Sequence, residues 1–497
     1  LNMKNIKNIF LVISALFIGA CDPDLLDVPN QNNPDFQKVY AKGEDVENVA
    51  SNLFNTYYHG EHNPSGVKPM LAVAADNVTC SHGNFGMWHA SSEPRDLAWD
   101  NSPSYANQSQ TKYSYDRMYA AIATANNVIK AIESGVKIGK DGEGTNRTLA
   151  VARFVQGIAY GNLALVYDRA HVVDEKSTVE GVFETAIPYN EVAAKAVEYL
   201  DQAITLSNST FSIPTSWFAS PTAISNTEFK KIASTVAARI MANVPRNKTE
   251  LAAVNWAKVK SYADAGITTD WTVVFDGGNL WYDQGTQYLT LAGWGKADMY
   301  VIHMMDPKQP QIWENRADFP HPPASTDPLD KRLLKDFQYT ASNGFRADRG
   351  YFNFSNYRHS RYDHLFVNHS GPKGQIMLTE SEMLRAEARV YLGELAEAAA
   401  IINAGTRTTR GEMPPVAANK DDLLKAIHHE IHVECHVSSG GLQFFHMRKQ
   451  DLLQKGTFLH FPIPARTLET FRMEPPFYTF GTVAKADGKG TSNGGWK

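Results

Sequence analysis

Apolar residues recur every three or four positions through most of the chain, and the recurrence breaks in two places. Val46, Val49, Leu53 and Tyr57 form a first stripe, and Met118, Ile122, Ala125, Ile129 and Ile132 a second. Val151, Phe154, Ile158 and Leu165 follow, then Val192, Ala196, Tyr199, Ala203 and Leu206, then Phe229, Ile232, Val236 and Ile240. Such spacing puts each set on one face of a helix. Alanines crowd the same stretches, as at Ala120, Ala121, Ala193, Ala194, Ala237 and Ala238. Small side chains let neighbouring helix axes approach. The stripe returns at Leu384, Ala388, Tyr391 and Leu395, crosses Gly393, and resumes at Ala399 and Ile402. The Leu392-Gly393-Glu394 turn predicts a tight helix–helix junction. Asp421 and Asp422 give a further helix, to Glu434, an acidic first turn. The breaks run from His59 to Asn107 and from about Trp271 to Lys373, where Gly, Asn, Asp and Pro mix with aromatics. Asp276-Gly277-Gly278-Asn279 and Ser342-Asn343-Gly344 are turn signals, while His321-Pro322-Pro323 and Asp327-Pro328 forbid regular helix. The pattern predicts a mainly α chain of stacked helix pairs with a loop-rich insert carrying short strands. The pairs recur at roughly 34 to 40 residues, without a clean repeat consensus.

The start of the chain follows a different rule. A short basic stretch (Lys4, Lys7) precedes an apolar run from Ile9 to Ile18, then Gly19 and Ala20 stand directly before Cys21. The run is shorter than the roughly 20 residues of a membrane span and has the parts of an export signal. The order resembles a bacterial lipobox. That resemblance implies removal of residues 1–20 and lipidation of Cys21 as the first mature residue. Met3 reads as the natural start. One acyl chain binds a membrane marginally, whereas two or more hold for long times. Residues 21–40 are polar and proline-punctuated, a flexible leash. No later segment reaches 18 uninterrupted apolar residues, so the body is expected to be water-soluble and tethered to an envelope membrane.

Composition narrows the function classes. The 497 residues are enough for a large core or two joined ones. The formal net charge is −5, and no block of five or six like charges occurs, so nothing electrostatic points to nucleic acid. With Cys21 lipidated, Cys80 and Cys435 remain, as one disulfide or as two free thiols.

Candidate chemistry is sparse. His428, His432 and His436 stand at i, i+4 and i+8, a spacing that zinc can use. The metalloprotease His-Glu-x-x-His pattern fails, because Val433 stands where the second His is required after His429-Glu430. No metal and no cofactor are therefore expected. Among 53 acidic residues no local sequence singles out a glycosidase pair. No phosphate-cradling glycine loop is present, and Asp141-Gly142-Glu143-Gly144 falls short of a calcium loop. No catalytic residue is assigned, and the chain is expected not to be an enzyme. Aromatic residues in the breaks are better candidates. Sugar rings present apolar faces and a rim of hydroxyls, which flat aromatics flanked by amides and carboxylates recognise. Trp281, Tyr282, Tyr288 and Trp294 form one group, Trp313 a second, and Trp88 and Trp99 lie in the earlier break. The expected ligand-binding set is Trp281, Tyr282, Trp294, Trp313, Trp88 and Trp99. Trp217, Trp256 and Trp271 read as packing residues.

The C-terminal third carries a more specific signal. The stretch from Leu378 to Ala398 (LTESEMLRAEARVYLGELAEA), then Asn403, Arg407 and Arg410-Gly411, resembles the SusD/RagB family. Phe444-Phe445-His446-Met447-Arg448 sits where that family usually carries Trp-Phe-Asp-Leu-Arg, and Phe461-Pro462-Ile463-Pro464 matches its closing segment. The chain departs from the pattern at Ile431-His432, where the family has an arginine pair, and at Phe444 and His446. The resemblance implies a Bacteroidota outer-membrane lipoprotein facing the cell exterior. It implies tetratricopeptide-like (SusD-like) helix pairs, glycan binding, and delivery to a SusC-type TonB-dependent transporter. A branch of the same family implies oligopeptides as the alternative ligand. Arg385, Glu387, Arg389 and Arg407 are expected to pair within the fold. The expected organisation is a signal peptide at 1–20, a lipidated leash at 21–40 and helical repeats at 41–270. A variable ligand-binding part at 271–375, a C-terminal helical part at 376–480 and a disordered tail at 481–497 complete it.

Overall fold

A computed structural model describes residues 39–80, 82–177, 186–312, 322–341, 354–479 and 490–497, without the Cys80 side chain. The signal segment, Cys21, most of the leash and Trp313 lie outside the described residues.

The apolar stripes become helices. The principal ones are α1 (Leu53–His62), α2 (Gln108–Glu133), α3 (Thr145–Val166), α4 (Tyr189–Leu206) and α5 (Asn226–Asn243). They continue with α6 (Trp256–Asp264), α7 (Leu378–Leu392), α8 (Leu395–Ala404), α9 (Lys420–Val433) and α10 (Leu442–Lys449). From α2 to α8 each helix packs on the next, and α9 packs on α7. Helix α3 lies at the centre. It is apolar enough to cross a membrane by composition alone, with mean hydropathy 1.4, but 89% of that window is buried within the fold. A Cβ at Gly157 would come within 2.6 Å of Leu200 Cγ, so glycine sets how closely α3 approaches α4.

Buried cations satisfy the helix ends. The last carbonyls of a helix lack intrahelical partners and carry partial negative charge. Arg448 on α10 is fully buried and donates to the carbonyls of Leu165, Asn243 and Leu459. Arg246 donates to those of Ala164, Tyr167 and Val244. Together they cover the C-termini of α3 and α5, a structural reason for arginine at the end of Phe444–Arg448. Lys449 binds Glu387 at 2.7 Å, and Arg389 binds Asp264 at 2.8 Å. Arg385 and Arg407 instead donate to backbone carbonyls, of Ala263 and Pro414 among others.

Gly393 ends α7 at φ +81°, and α8 begins two residues later. This is the junction that the sequence predicts. The left-handed conformation costs an L-residue about 1–2 kcal/mol. Gly393→Ala should therefore cost about 1 kcal/mol of unfolding free energy, read as a lower denaturation midpoint, since no atom lies within 4 Å of the added methyl.

Short antiparallel ribbons organise the breaks. Strand β1 is Val78–Cys80, β2 Arg169–His171, β3 Ala186–Pro188, β4 Ser212–Ile213 and β5 Ile224–Ser225. Strand β6 is Trp271–Asp276, β7 Gly295–Ala297, β8 Phe337–Tyr339, β9 Tyr357–His359 and β10 Ser370–Ile376. β6 pairs with β10 and closes the insert at its base, while β8 pairs with β9 inside it. β1 pairs with β7 and so joins the two breaks. The first break is not all loop, for it holds helices at Lys68–Ala74 and Met87–Ser91. The tail expected to be disordered is ordered over its described part, 490–497. There Trp496 Nε1 donates to Asp76 at 2.7 Å, its ring lies 4.4 Å from Tyr300, and the Ser492 amide donates to Thr457. A single tryptophan outweighs the Gly/Ser/Asn composition around it.

Candidate functional site

The β1–β7 ribbon brings the two breaks together and makes a shelf of rings. Its register sets Val78 against Ala297, Thr79 against Lys296 and Cys80 against Gly295. The residues just beyond the paired segment therefore meet. His82 lies over Trp294, with ring centroids 4.3 Å apart. Tyr288 lies 5.5 Å from Trp294, and Phe85 meets Tyr288 edge-on at 4.9 Å. All four rings are half-buried, so each keeps surface for a ligand. Trp88 follows on the same loop, is 40% exposed, and its amide donates to the Gly83 carbonyl. Phe85 holds φ +54°, a conformation that costs a bulky residue about 1–3 kcal/mol and marks a constrained loop.

The floor of this shelf is rigid. Tyr288 sits on the helix Gln284–Thr290, whose N-cap is Asp283; its carboxylate accepts from the Thr286 amide at 2.8 Å. Asp283 is fully buried and meets Lys68, Lys373 and His62, each at 3.0 Å. Burial alone would raise its pKa, but those three groups hold the carboxyl well below the ordinary range. Burial brings Lys68 down to about 8, with Asp283 opposing the shift. Gln375 extends the network, contacting His62 at 2.8 Å and donating to Glu61 at 2.8 Å. Such a network fixes the helix under the shelf.

Three residues of the expected set are not available for stacking. Trp281 is 6% exposed and packs between Phe54, at 6.0 Å, and Tyr58, at 5.4 Å. Tyr282 is 7% exposed against Phe275 and His369. Trp99 is 4% exposed against Phe461 and Tyr105. Apolar burial explains all three: each ring plugs the core beneath a loop, and they leave the candidate set on that ground. Trp88 and Trp294 are presented at the surface, and Trp313 lies outside the described residues. His82 and Phe85 escaped the sequence reading. The only signal for them was their place in the aromatic loop that carries Trp88. Trp217, Trp256 and Trp271 are buried, with Trp256 stacked on Tyr391 at 4.4 Å.

The histidine row on α9 and in the turn after it is packing. His432 and His436 each turn Nδ1 to the carbonyl one turn back, and His428 Nε2 meets the Tyr300 hydroxyl at 2.8 Å. Among the described residues, no group of three or more His, Cys, Asp or Glu side chains is placed to hold a metal. Cys435 is a free, buried thiol whose pKa burial pushes well up. A cleft of about 610 Å³ also opens between α4 and α5, lined by Tyr189, Val197, Met241 and Val254, away from the shelf.

No family model matches the chain, and no curated protein matches it. Solved structures do. A SusD-like carbohydrate-binding protein from Bacteroides vulgatus superposes with TM-score 0.55 at 16% identity, over 83% of this chain and 83% of that one. A SusD superfamily protein from Bacteroides thetaiotaomicron gives 0.57 at 12%, over 86% and 93%. Another from Bacteroides vulgatus gives 0.54 at 15%, over 82% and 88%. The chain has the mainly α, SusD-like fold.

Proposed function

From the SusD-like fold and the aromatic shelf together, we propose that this protein binds glycan without cleaving it. In this reading it hands the glycan to a SusC-type TonB-dependent transporter. Cys21 carries the lipid that holds the protein on the outer membrane, facing the cell exterior. The observation that carries the reading is the cluster His82, Phe85, Tyr288 and Trp294. Flat rings side by side on a rigid floor offer apolar area with little side-chain entropy to lose, as a sugar face requires. The half-buried Gln287 amide and the exposed Asn84 supply polar groups for hydroxyls at the rim. No cofactor enters the scheme.

Affinity electrophoresis and calorimetry against a panel of polysaccharides and oligosaccharides test it. Trp294→Ala should weaken binding at least tenfold, about 1.4 kcal/mol, with an unchanged denaturation midpoint. Trp281→Phe should do the reverse, costing about 1–3 kcal/mol of stability and leaving affinity within twofold. Equal affinity in Trp294→Ala and wild type would overturn the shelf. Oligopeptides binding where every glycan fails would replace the ligand class.

A further inference from the structure

Lysines buried in this fold obey a rule with one exception. The buried lysines among the described residues are Lys68, Lys296, Lys373 and Lys449. Lys68 and Lys373 share Asp283, and Lys449 pairs with Glu387. Lys296 is 5% exposed and meets no carboxylate among the described residues. Its ammonium donates to the Thr340 hydroxyl at 2.8 Å. An ammonium has three donors, so two stay without acceptors among the described residues. The nearby charge has the same sign: Arg358 lies close enough to disfavour the lysine's proton, and burial with Arg358 brings the amine down to about 8. It remains mostly protonated at neutral pH. The guanidinium of Arg358 is itself committed to Asp363, Gln338 and the Thr290 carbonyl. A buried cation without a counter-charge is costly, and folds rarely keep one for stability alone.

Its surroundings indicate what the missing charge is. Lys296 stands directly across the β1–β7 ribbon from Thr79, so their Cβ atoms are about 5 Å apart on one face. The Thr79 hydroxyl is buried and has no partner among the described residues. Trp294 is two residues back from Lys296 along the chain, in the turn that leads into β7, so their Cα atoms are at most about 7 Å apart. An unpartnered hydroxyl and an under-used ammonium thus belong to two residues paired directly across one face of the ribbon that leads to the rings.

We propose that Lys296 and Thr79 form an anion subsite at the edge of the aromatic shelf, and that the glycan taken there bears a carboxylate or sulfate group. This rests on the glycan-binding reading above. Trp294 covers the apolar face of a sugar, while Lys296 and Thr79 receive the charged substituent of that sugar or its neighbour. Bringing in an anion completes the donors of Lys296 and lets Thr79 donate.

The test is ligand-observed NMR and calorimetry on the full chain with matched acidic and neutral sugars. Probes are oligogalacturonate, a sulfated galactan oligosaccharide, and the corresponding neutral galacto-oligosaccharide. Wild type should prefer at least one acidic probe over the neutral one by tenfold or more. Lys296→Met should abolish that preference and Lys296→Arg should retain most of it, with denaturation midpoints showing that both variants fold. Which acidic probe wins distinguishes carboxylate from sulfate. Equal affinity for acidic and neutral probes, or an acid preference intact in Lys296→Met, overturns the subsite while leaving the shelf. Loss of neutral-sugar binding in Trp294→Ala reports on the shelf separately. Failure of both acidic probes to bind wild type overturns the subsite as well.

Discussion

Acidification from neutral pH toward about pH 4 unfolds this protein, and the loss of stability begins near pH 6.5. The reason is the set of histidines enclosed in the C-terminal half. His359, His432, His436 and His446 are buried, and His428 is half-buried beside them. The His428 ring lies 4.1 Å from His432 and 5.3 Å from His446, and His359 lies 4.8 Å from His436. Both ring nitrogens of His359 lack a partner among the described residues, as do His428 Nδ1 and His432 Nε2. Burial brings His432 down to about 3 and His436 down to about 4. His359, His428 and His446 are held well below the ordinary value, by burial first. The next cause is a neighbouring cation or histidine: His436 for His359, His432 for His428, and Lys449 for His446.

An unfolded histidine takes its proton near pH 6.5. Between that value and the folded one the unfolded chain binds more protons, so stability is complete above about pH 6.5 and falls as pH drops. At about 1.4 kcal/mol per pH unit, His432 and His436 each remove on the order of 3 kcal/mol by about pH 4. That is comparable with a typical net stability of about 5–15 kcal/mol. Asp76, Asp168, Asp298, Asp336 and Glu382 work the other way. Burial raises their carboxyl pKa values, so they take up protons in the folded state and add some stability in acid. The histidines are joined by His460, which burial also holds well below the ordinary value, and by Asp283, Asp330 and Glu434, whose carboxyls neighbouring cations hold low despite burial, so the net slope stays downward. Urea midpoints measured in half-unit steps from about pH 7.5 to 4.5 check this. His359→Phe should flatten the slope; a midpoint constant across that range would contradict the account.

Arg332→Met is the second large effect. Arg332 is fully buried and donates to Asp330 at 2.6 Å, to Glu430 at 2.7 Å and to Glu434 at 3.1 Å. Glu434 also meets Arg361, and His429 meets Asp330 at 2.7 Å. The cluster ties the loop-rich insert to α9. Removing one partner of a buried ionic cluster leaves uncompensated charge and costs about 3–5 kcal/mol. The exposed pair Lys335–Glu412 lies one turn away, and Lys335→Ala should cost under about 1 kcal/mol. A chemical denaturation series on both variants checks the contrast. Similar small shifts in the two would mean that the insert is held by packing alone.

The helices and their order were legible because stripes such as Met118 to Ile132 state which face is buried. Gly393 was legible because a helix end needs a residue that accepts positive φ. The shelf was legible only in part. Trp281 and Trp294 look alike in sequence, each an aromatic in a turn-rich stretch. What separates them is tertiary: Trp281 follows β6 down onto Phe54 and Tyr58, whereas Trp294 is carried to the rim by the pairing of β7 with β1. That pairing joins residues more than 200 positions apart, and no local pattern encodes it. The missing counter-charge of Lys296 is equally non-local, since it appears only when every neighbour is known.

The most direct measurement is a structure of the protein bound to a glycan recovered with it from native membranes. The account predicts a sugar ring stacked on Trp294 within van der Waals distance, flanked by His82, Phe85 or Tyr288. A ligand seated instead in the cleft between α4 and α5, against Tyr189 and Met241, with Trp294 bare, would contradict it.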